Sequence, residues 1–208
     1  MTTEWRIRNL RAADGGAQIL LTLENRVGER EQLAIFASRL PTIPQIGTIT
    51  DEELNTLRRE AQITAAIVLG LRALTACGAS RRQLIDKLYA RGVRSEIARE
   101  AVAELAARGY LNEEQGAERE AERGLCKLWG DRRILAELRA KGYEDAVLER
   151  VRVRLSQQDA VERCVQLLRR LRIACPKNES ELQKLLSRMV RYGYTSAECK
   201  RALRNLYT

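Results

Sequence analysis

The chain has 208 residues and 23.6 kDa, and 45% hydrophobic with 31% charged residues suits a largely helical globule with a core of its own. It contains no histidine, which excludes imidazole zinc ligation, histidine general-base catalysis and a Ser-His-Asp triad, and it has no GxxxxGKS/T phosphate loop. A formal net charge of +9 points instead to partners that carry negative charge.

No apolar run approaches the roughly 20 residues of a membrane span, and Glu4, Arg6 and Arg8 stand where a signal peptide would need an apolar core. A cytoplasmic protein with no membrane contact is expected. The cysteines, Cys77, Cys126, Cys164, Cys175 and Cys199, are odd in number and never form CxxC, so they read as reduced, mostly buried small apolar residues. No metal, cofactor or catalytic constellation is expected, because pairs such as Glu113-Glu114 and Glu144-Asp145 sit at helix starts, where the macrodipole accounts for them.

Residues 1–49 read as a small β-rich module. Trp5, Ile7, Ile19, Leu21 and Leu23 alternate with polar residues around Asp14-Gly15-Gly16, which is the pattern of a hairpin. A second turn is expected at Asn25 to Gly28, Leu33 to Phe36 form a third strand or a short helix, and Pro41 and Pro44 punctuate the exit. From Thr50 onward the chain reads as helix. Thr50 with Glu53 and Ser80 with Gln83 are capping boxes, and Ile63, Ile67, Leu71 and Leu74 hold one apolar face up to Gly78.

The stretch Gly109–Tyr143 reads as turn, helix, turn, helix, turn. Tyr110 and Leu111 anchor it, Asn112 caps the first helix with Gln115 reaching back, and Ala117, Ala121, Leu125 and Leu128 line one face. Gly130 is expected to end that helix and Asp131 to cap the next, with Ile134, Leu135 and Leu138 inward and Arg132, Arg133 and Arg139 outward. Lys141 and Gly142 then provide the cation and the left-handed stop that a helix C-terminus favours.

These residues resemble the pattern GYLDD, a spacer, then GP-x-RI-x-x-EL-x-x-KG of the RecX regulators of the RecA recombinase. The match runs through Gly109, Tyr110, Leu111, Asn112, Glu113, Gly130, Asp131, Arg133, Ile134, Glu137, Leu138, Lys141 and Gly142. Asn112-Glu113 replaces the aspartates of the pattern, Gln115-Gly116 its Arg-Phe pair, and Gly130-Asp131 its GP. The resemblance covers residues 60–208 well and 1–59 loosely.

A repeat supports it. Gly92, Gly142 and Gly193 lie 50 and 51 residues apart. Leu88, Leu138 and Met189 stand four residues before them, Leu84, Ile134 and Leu185 eight before, and Val93, Tyr143 and Tyr194 directly after. Ala101, Val151 and Ala202, then Leu105, Leu155 and Leu206, follow at matching distances. Each unit has a first helix (62–77, 114–128, 159–174), a second ending at the glycine, and a third capped near Ser95, Asp145 or Thr195. The expected fold is therefore mainly α: three tandem three-helix repeats forming a curved solenoid, preceded by the β-rich N-terminal module. The divisions are 1–49, 50–111 (a lead-in helix and the first repeat), 112–158 and 159–208.

Charge is uneven along these divisions. Residues 159–208 contain 11 Lys/Arg against 5 Asp/Glu, whereas 112–158 contain 10 of each. The candidate partner-binding residues are Arg132, Arg133, Arg139, Lys141, Arg169, Arg170, Arg172, Lys177, Lys184, Arg188, Arg191, Arg201 and Arg204. Aromatics are scarce, so Tyr110, Tyr143, Tyr192, Tyr194 and Trp129 read as packing residues rather than platforms for bases. The resemblance implies a non-enzymatic regulator that binds RecA and its single-stranded-DNA filament in recombination and DNA repair, and a monomer is expected because an open surface serves such a modulator better than a self-paired one. Inhibition is the expected sense, although the residues do not distinguish inhibiting the filament from stabilising it. The alternative from the residues alone is a general helical-repeat nucleic-acid binder acting directly on DNA or RNA.

Overall fold

The computed structural model describes residues 4–76 and 79–207. The helix stop expected at Gly78 and the burial expected of Cys77 lie outside the described residues. The chain divides into two compact units, one of residues 1–77 and 84–110, the other of 78–83 and 111–208.

In the first unit the alternating apolar residues form an antiparallel sheet. Strands β1 (Trp5–Ala13) and β2 (Gln18–Asn25) are joined by a tight turn at Asp14–Gly16, where Gly15 and Gly16 supply the positive φ angles of 65° and 94°. Leu33, Ile35 and Phe36 belong to a third strand, β3 (Arg30–Phe36), and β4 (Gly47–Ile49) completes the order β3-β2-β1-β4. The short β4 pairs with Trp5–Ile7 and carries too few residues to show alternation in the sequence. Ile7, Ile19, Leu21, Leu23, Leu33 and Ile35 point to one face, where Leu54 and Leu57 of α1 (Asp51–Ala76) close the core.

Helix α1 starts at the expected capping box. Thr50 N–H donates to Glu53 Oε2 at 2.8 Å, and Glu53 N–H donates to Thr50 Oγ1 at 3.2 Å. It runs as one helix through the apolar stripe of Ile63 and Ile67 and packs on α3 (Ser95–Ala107). Gly70 permits that approach, since a Cβ there would stand 2.6 Å from Leu105 Cδ1.

Helix α2 (Arg81–Tyr89) begins in the second unit, with Ser80 and Gln83 forming the second capping box, and ends in the first. The second unit continues with α4 (Glu113–Cys126), α5 (Asp131–Ala140), α6 (Asp145–Ser156), α7 (Ala160–Arg170), α8 (Glu179–Arg191) and α9 (Ser196–Tyr207). The apolar residues four and eight positions before the three glycines are buried alike. Leu88, Leu138 and Met189 are buried, as are Leu84, Ile134 and Leu185, and Gly92, Gly142 and Gly193 all have positive φ.

Several local expectations are corrected. Gly130 does not end α4: the left-handed residue there is Leu128, at φ 58°, and Trp129 N–H donates back to Gly124 O at 3.0 Å. Leu128 holds this uncommon backbone while its side chain packs against the core formed by α7, α8 and α9. Gly130 is instead the N-cap of α5, and Asp131 is the first helical residue and makes no cap bond. Likewise Arg94 and Glu144 hold the N-cap positions of α3 and α6, so Ser95 and Asp145 do not cap, whereas Thr195 does through its box with Glu198. Tyr110 is exposed, leaving Leu111 alone as the anchor. Cys164 and Cys199 are buried as expected, but Cys126 and Cys175 are exposed, because each lies at or beyond the end of a helix rather than on its apolar face.

Within the second unit the same contact occurs twice. Ser80 Oγ donates to Lys141 O at 2.5 Å, and Gly130 N–H donates to Tyr192 O at 2.8 Å. Ser80 and Gly130 both precede a second helix of the repeat, and Lys141 and Tyr192 both precede the glycine that ends the next one.

Candidate basic partner-binding surface

The third group of helices, α7 to α9, carries Arg163, Arg169, Arg170, Arg172, Lys177, Lys184, Arg188, Arg191, Lys200, Arg201 and Arg204. Arg163 is 7% exposed and pairs with Asp131. The other cations of this group are exposed, and none has a carboxylate within 4.0 Å among the described residues. Pairing is denser on α4 to α6 and around Arg39, although Arg72, Arg82, Arg91, Arg94 and Arg99 are likewise exposed with no carboxylate within 4.0 Å among the described residues. Lys141 Nζ lies 2.6 Å from Glu120, Arg154 lies 2.9 Å from Glu122, and Arg150 pairs with Glu114. In the first unit Arg39 is held by Glu60 at 2.6 Å, by Glu100 at 2.8 Å and by Glu104.

The expected residues therefore fall into distinct settings. Arg201 and Arg204 stand outward on α9, and Lys184 and Arg188 lie one turn apart on α8. These two border a depression of about 220 Å³ whose other lining residues are Ile173, Ala174, Pro176, Glu181 and Leu185. Lys177 is exposed in the loop before α8, and its backbone N–H donates to Glu181 Oε2 at 2.8 Å. Arg169 and Arg191 are exposed in the last turns of α7 and α8. Arg172 follows α7 with φ 51° and an exposed side chain.

Arg133 and Arg170 are fixed in place by neutral groups. The Arg133 guanidinium lies 4.1 Å from the Trp129 ring and 5.9 Å from that of Tyr192, and it donates to Arg191 O at 3.4 Å. Arg170 donates to Lys127 O at 2.8 Å, and the Lys127 ammonium stands 4.8 Å from Trp129. Both arginines keep their full charge and have given up side-chain freedom before any partner arrives. Arg132 is exposed at the start of α5. At its other end Arg139 stands 3.9 Å from Asp145, and Lys141 is neutralised by Glu120. Those last two lie outside the unpaired group.

Sequence reading missed the structural ion pairs. Arg163 sits among Cys164, Val165, Leu167 and Leu168 on α7, and its charge is accommodated by Asp131 arriving from α5, with a further hydrogen bond to Gln158 Oε1 at 3.3 Å. Burial raises the Asp131 carboxyl above its ordinary value, while Arg163 pulls in the opposite direction. Burial also works against the Arg39 charge, but its hydrogen bonds to Glu60 and Glu100 outweigh that and raise its pKa. Tyr143, expected to pack, is buried at 4% exposure, and burial pushes its phenol up to about 12. The hydrogen bond to Cys199, then burial, pushes the Cys164 thiol well above its ordinary range, so it is a poor nucleophile.

No group of three or more acidic or cysteine side chains among the described residues is placed to hold a metal, and no described helix is long and apolar enough to cross a membrane. A depression of about 620 Å³ between β3 and α1 is mainly apolar, and its charged lining residues are Glu31 and Arg58, which pair with each other.

No protein-family model matches the chain. A regulatory protein RecX from Caldanaerobacter subterraneus subsp. tengcongensis is 29% identical over 145 residues, covering 70% of this chain and 70% of that protein. Another from Mycobacterium leprae is 31% identical over 134 residues, covering 62% of this chain and 78% of the relative. Among solved structures, a crystal structure of regulatory protein RecX superposes with a TM-score of 0.71 at 17% identity, over 94% of this chain and 97% of the other. RecX from Lactobacillus salivarius superposes with a TM-score of 0.59 at 19% identity, over 70% and 96%. The first of these, which spans nearly the whole chain, agrees with a mainly helical fold bearing a small N-terminal sheet.

Proposed function

Because the chain belongs to the RecX family of regulatory proteins, we propose that it is a non-enzymatic regulator of the RecA recombinase, binding RecA and its single-stranded-DNA filament and inhibiting filament activity. The observation that carries the reading is the set of exposed cations on α7 to α9 without carboxylate partners. A cation already held by a carboxylate must give up that partner to take another. An unpaired one only exchanges counterions, and releasing those ions is favourable at ordinary salt. A surface of this kind approaches a nucleoprotein filament from the side of its phosphates. No chemistry is required of it, because preferential binding to one filament state shifts the balance of assembly and ATP turnover.

The decisive measurement is RecA's single-stranded-DNA-dependent ATPase rate while this protein is added below one per RecA protomer. The expected outcome is a falling rate that the triple variant R169A/R170A/R172A weakens. A rate that stays flat while the protein binds naked DNA tightly and salt-sensitively would move the assignment to the second reading, a nucleic-acid binder acting on its own. The same unpaired surface favours that reading too, so naked single strands should be tested as competitors in the same assay.

A further inference from the structure

The depression between the α7–α8 loop and α8 differs from the rest of the basic surface. It is lined by the apolar residues Ile173, Ala174, Pro176 and Leu185 together with the unpaired cations Lys184 and Arg188. The one carboxylate beside it, Glu181, already accepts the Lys177 backbone N–H at 2.8 Å. A phosphodiester needs cations and gains nothing from aliphatic side chains, and no aromatic ring among the described residues lines the depression for a base to stack on. We propose that this groove receives a protein segment, namely one large apolar side chain flanked by Asp or Glu.

The dimensions and the charge both fit that occupant. A space of about 220 Å³ is about seven water volumes, the room for one Leu, Met or Phe side chain rather than a whole ligand. Withdrawing such a side chain from water supplies the affinity, and the carboxylates beside it meet Lys184 and Arg188, which lie one helical turn apart on α8. The basic surface is thereby divided. The groove faces protein, while the outward cations of α9, Arg201 and Arg204, face phosphate. The inference rests on the RecA reading above for the protein that supplies the segment.

Cys175 provides a direct test, because it is exposed between two groove residues, Ala174 and Pro176. The full chain is treated with a maleimide alone, with DNA-free RecA, or with a single-stranded oligonucleotide, and each cysteine is followed by peptide mass spectrometry. Cys126 is exposed as well and reports general reactivity. RecA is expected to slow Cys175 labelling strongly and the oligonucleotide to leave it unchanged. The double variant K184E/R188E should bind RecA about tenfold or more weakly, a larger factor than the same variant loses for the oligonucleotide. RecA bound to the wild-type chain without protection of Cys175 would sink the groove assignment and leave the regulator reading intact. Absence of RecA binding by the wild-type chain would overturn both. Protection by the oligonucleotide equal to that by RecA would make the groove a phosphate site and overturn the proposal.

Discussion

Arg172 holds a left-handed backbone, φ 51°, directly after α7, and its side chain is exposed. The position corresponds to the residue where helices commonly place glycine, and Ile173 N–H donates to Leu168 O at 3.1 Å as that kind of ending requires. A non-glycine residue there costs about 1–2 kcal/mol, part of which glycine returns through its greater freedom in the unfolded chain. Arg172→Gly should therefore raise stability by about 0.5–1 kcal/mol, read as a higher urea midpoint. A lower midpoint would mean that the arginine side chain makes a contact worth more than the strain. Nothing in local propensity announces an arginine or a leucine as a helix terminator, which is why Leu128 and Arg172 were illegible in the sequence. Gly142 and Gly193 were legible because glycine is the default for that backbone. Arg163 was illegible for another reason: its partner, Asp131, lies 32 positions away, and a charged residue beside an apolar stripe is ordinarily solvated.

At the scale of helices, the apolar positions four and eight residues before Gly92, Gly142 and Gly193 were readable as core, and Thr50, Ser80 and Asn112 announce helix starts through short-range bonds. What joins successive groups was not readable. Gly130 looks like a stop signal, yet its φ is −74°, a backbone open to any residue. Its small size is what matters. A Cβ on Gly130 would overlap the carbonyl of Gly193 and stand 2.7 Å from Tyr194 N, where its own N–H donates to Tyr192 O. Both neighbours are backbone and cannot turn aside. Gly130→Ala should thus cost about 1–3 kcal/mol by forcing α5 and the end of α8 apart, with no contribution from backbone strain. A urea midpoint equal to wild type would show that this contact gives way freely. The strand β4 escaped notice for the opposite reason, since three residues after a proline-bearing loop carry no period at all.

For the molecule as a whole, net charge was legible and the state of each charge was not. Composition gives +9 and places the largest share in residues 159–208, with 11 Lys/Arg against 5 Asp/Glu, but whether a cation is available depends on which carboxylates the fold brings beside it. The structure separates Arg201 and Arg204, unpaired on α9, from Arg150 and Arg154, held by Glu114 and Glu122. Removing either pair lowers the formal charge equally, which isolates placement from total charge. Each phosphate neutralised on a single strand adds about 0.7 to the steepness of log K against log salt. If the α9 arginines touch DNA, R201A/R204A should reduce that slope by about 0.7 for each phosphate left without its arginine and weaken binding at all base sequences alike. R150A/R154A should leave the slope at its wild-type value. Equal reductions in both variants would mean that the chain attracts DNA through its overall charge, with no dedicated face on the third repeat. An unchanged slope in both would remove α9 from the DNA interface and shift the search to Arg169, Arg170 and Arg191, where α7 and α8 end.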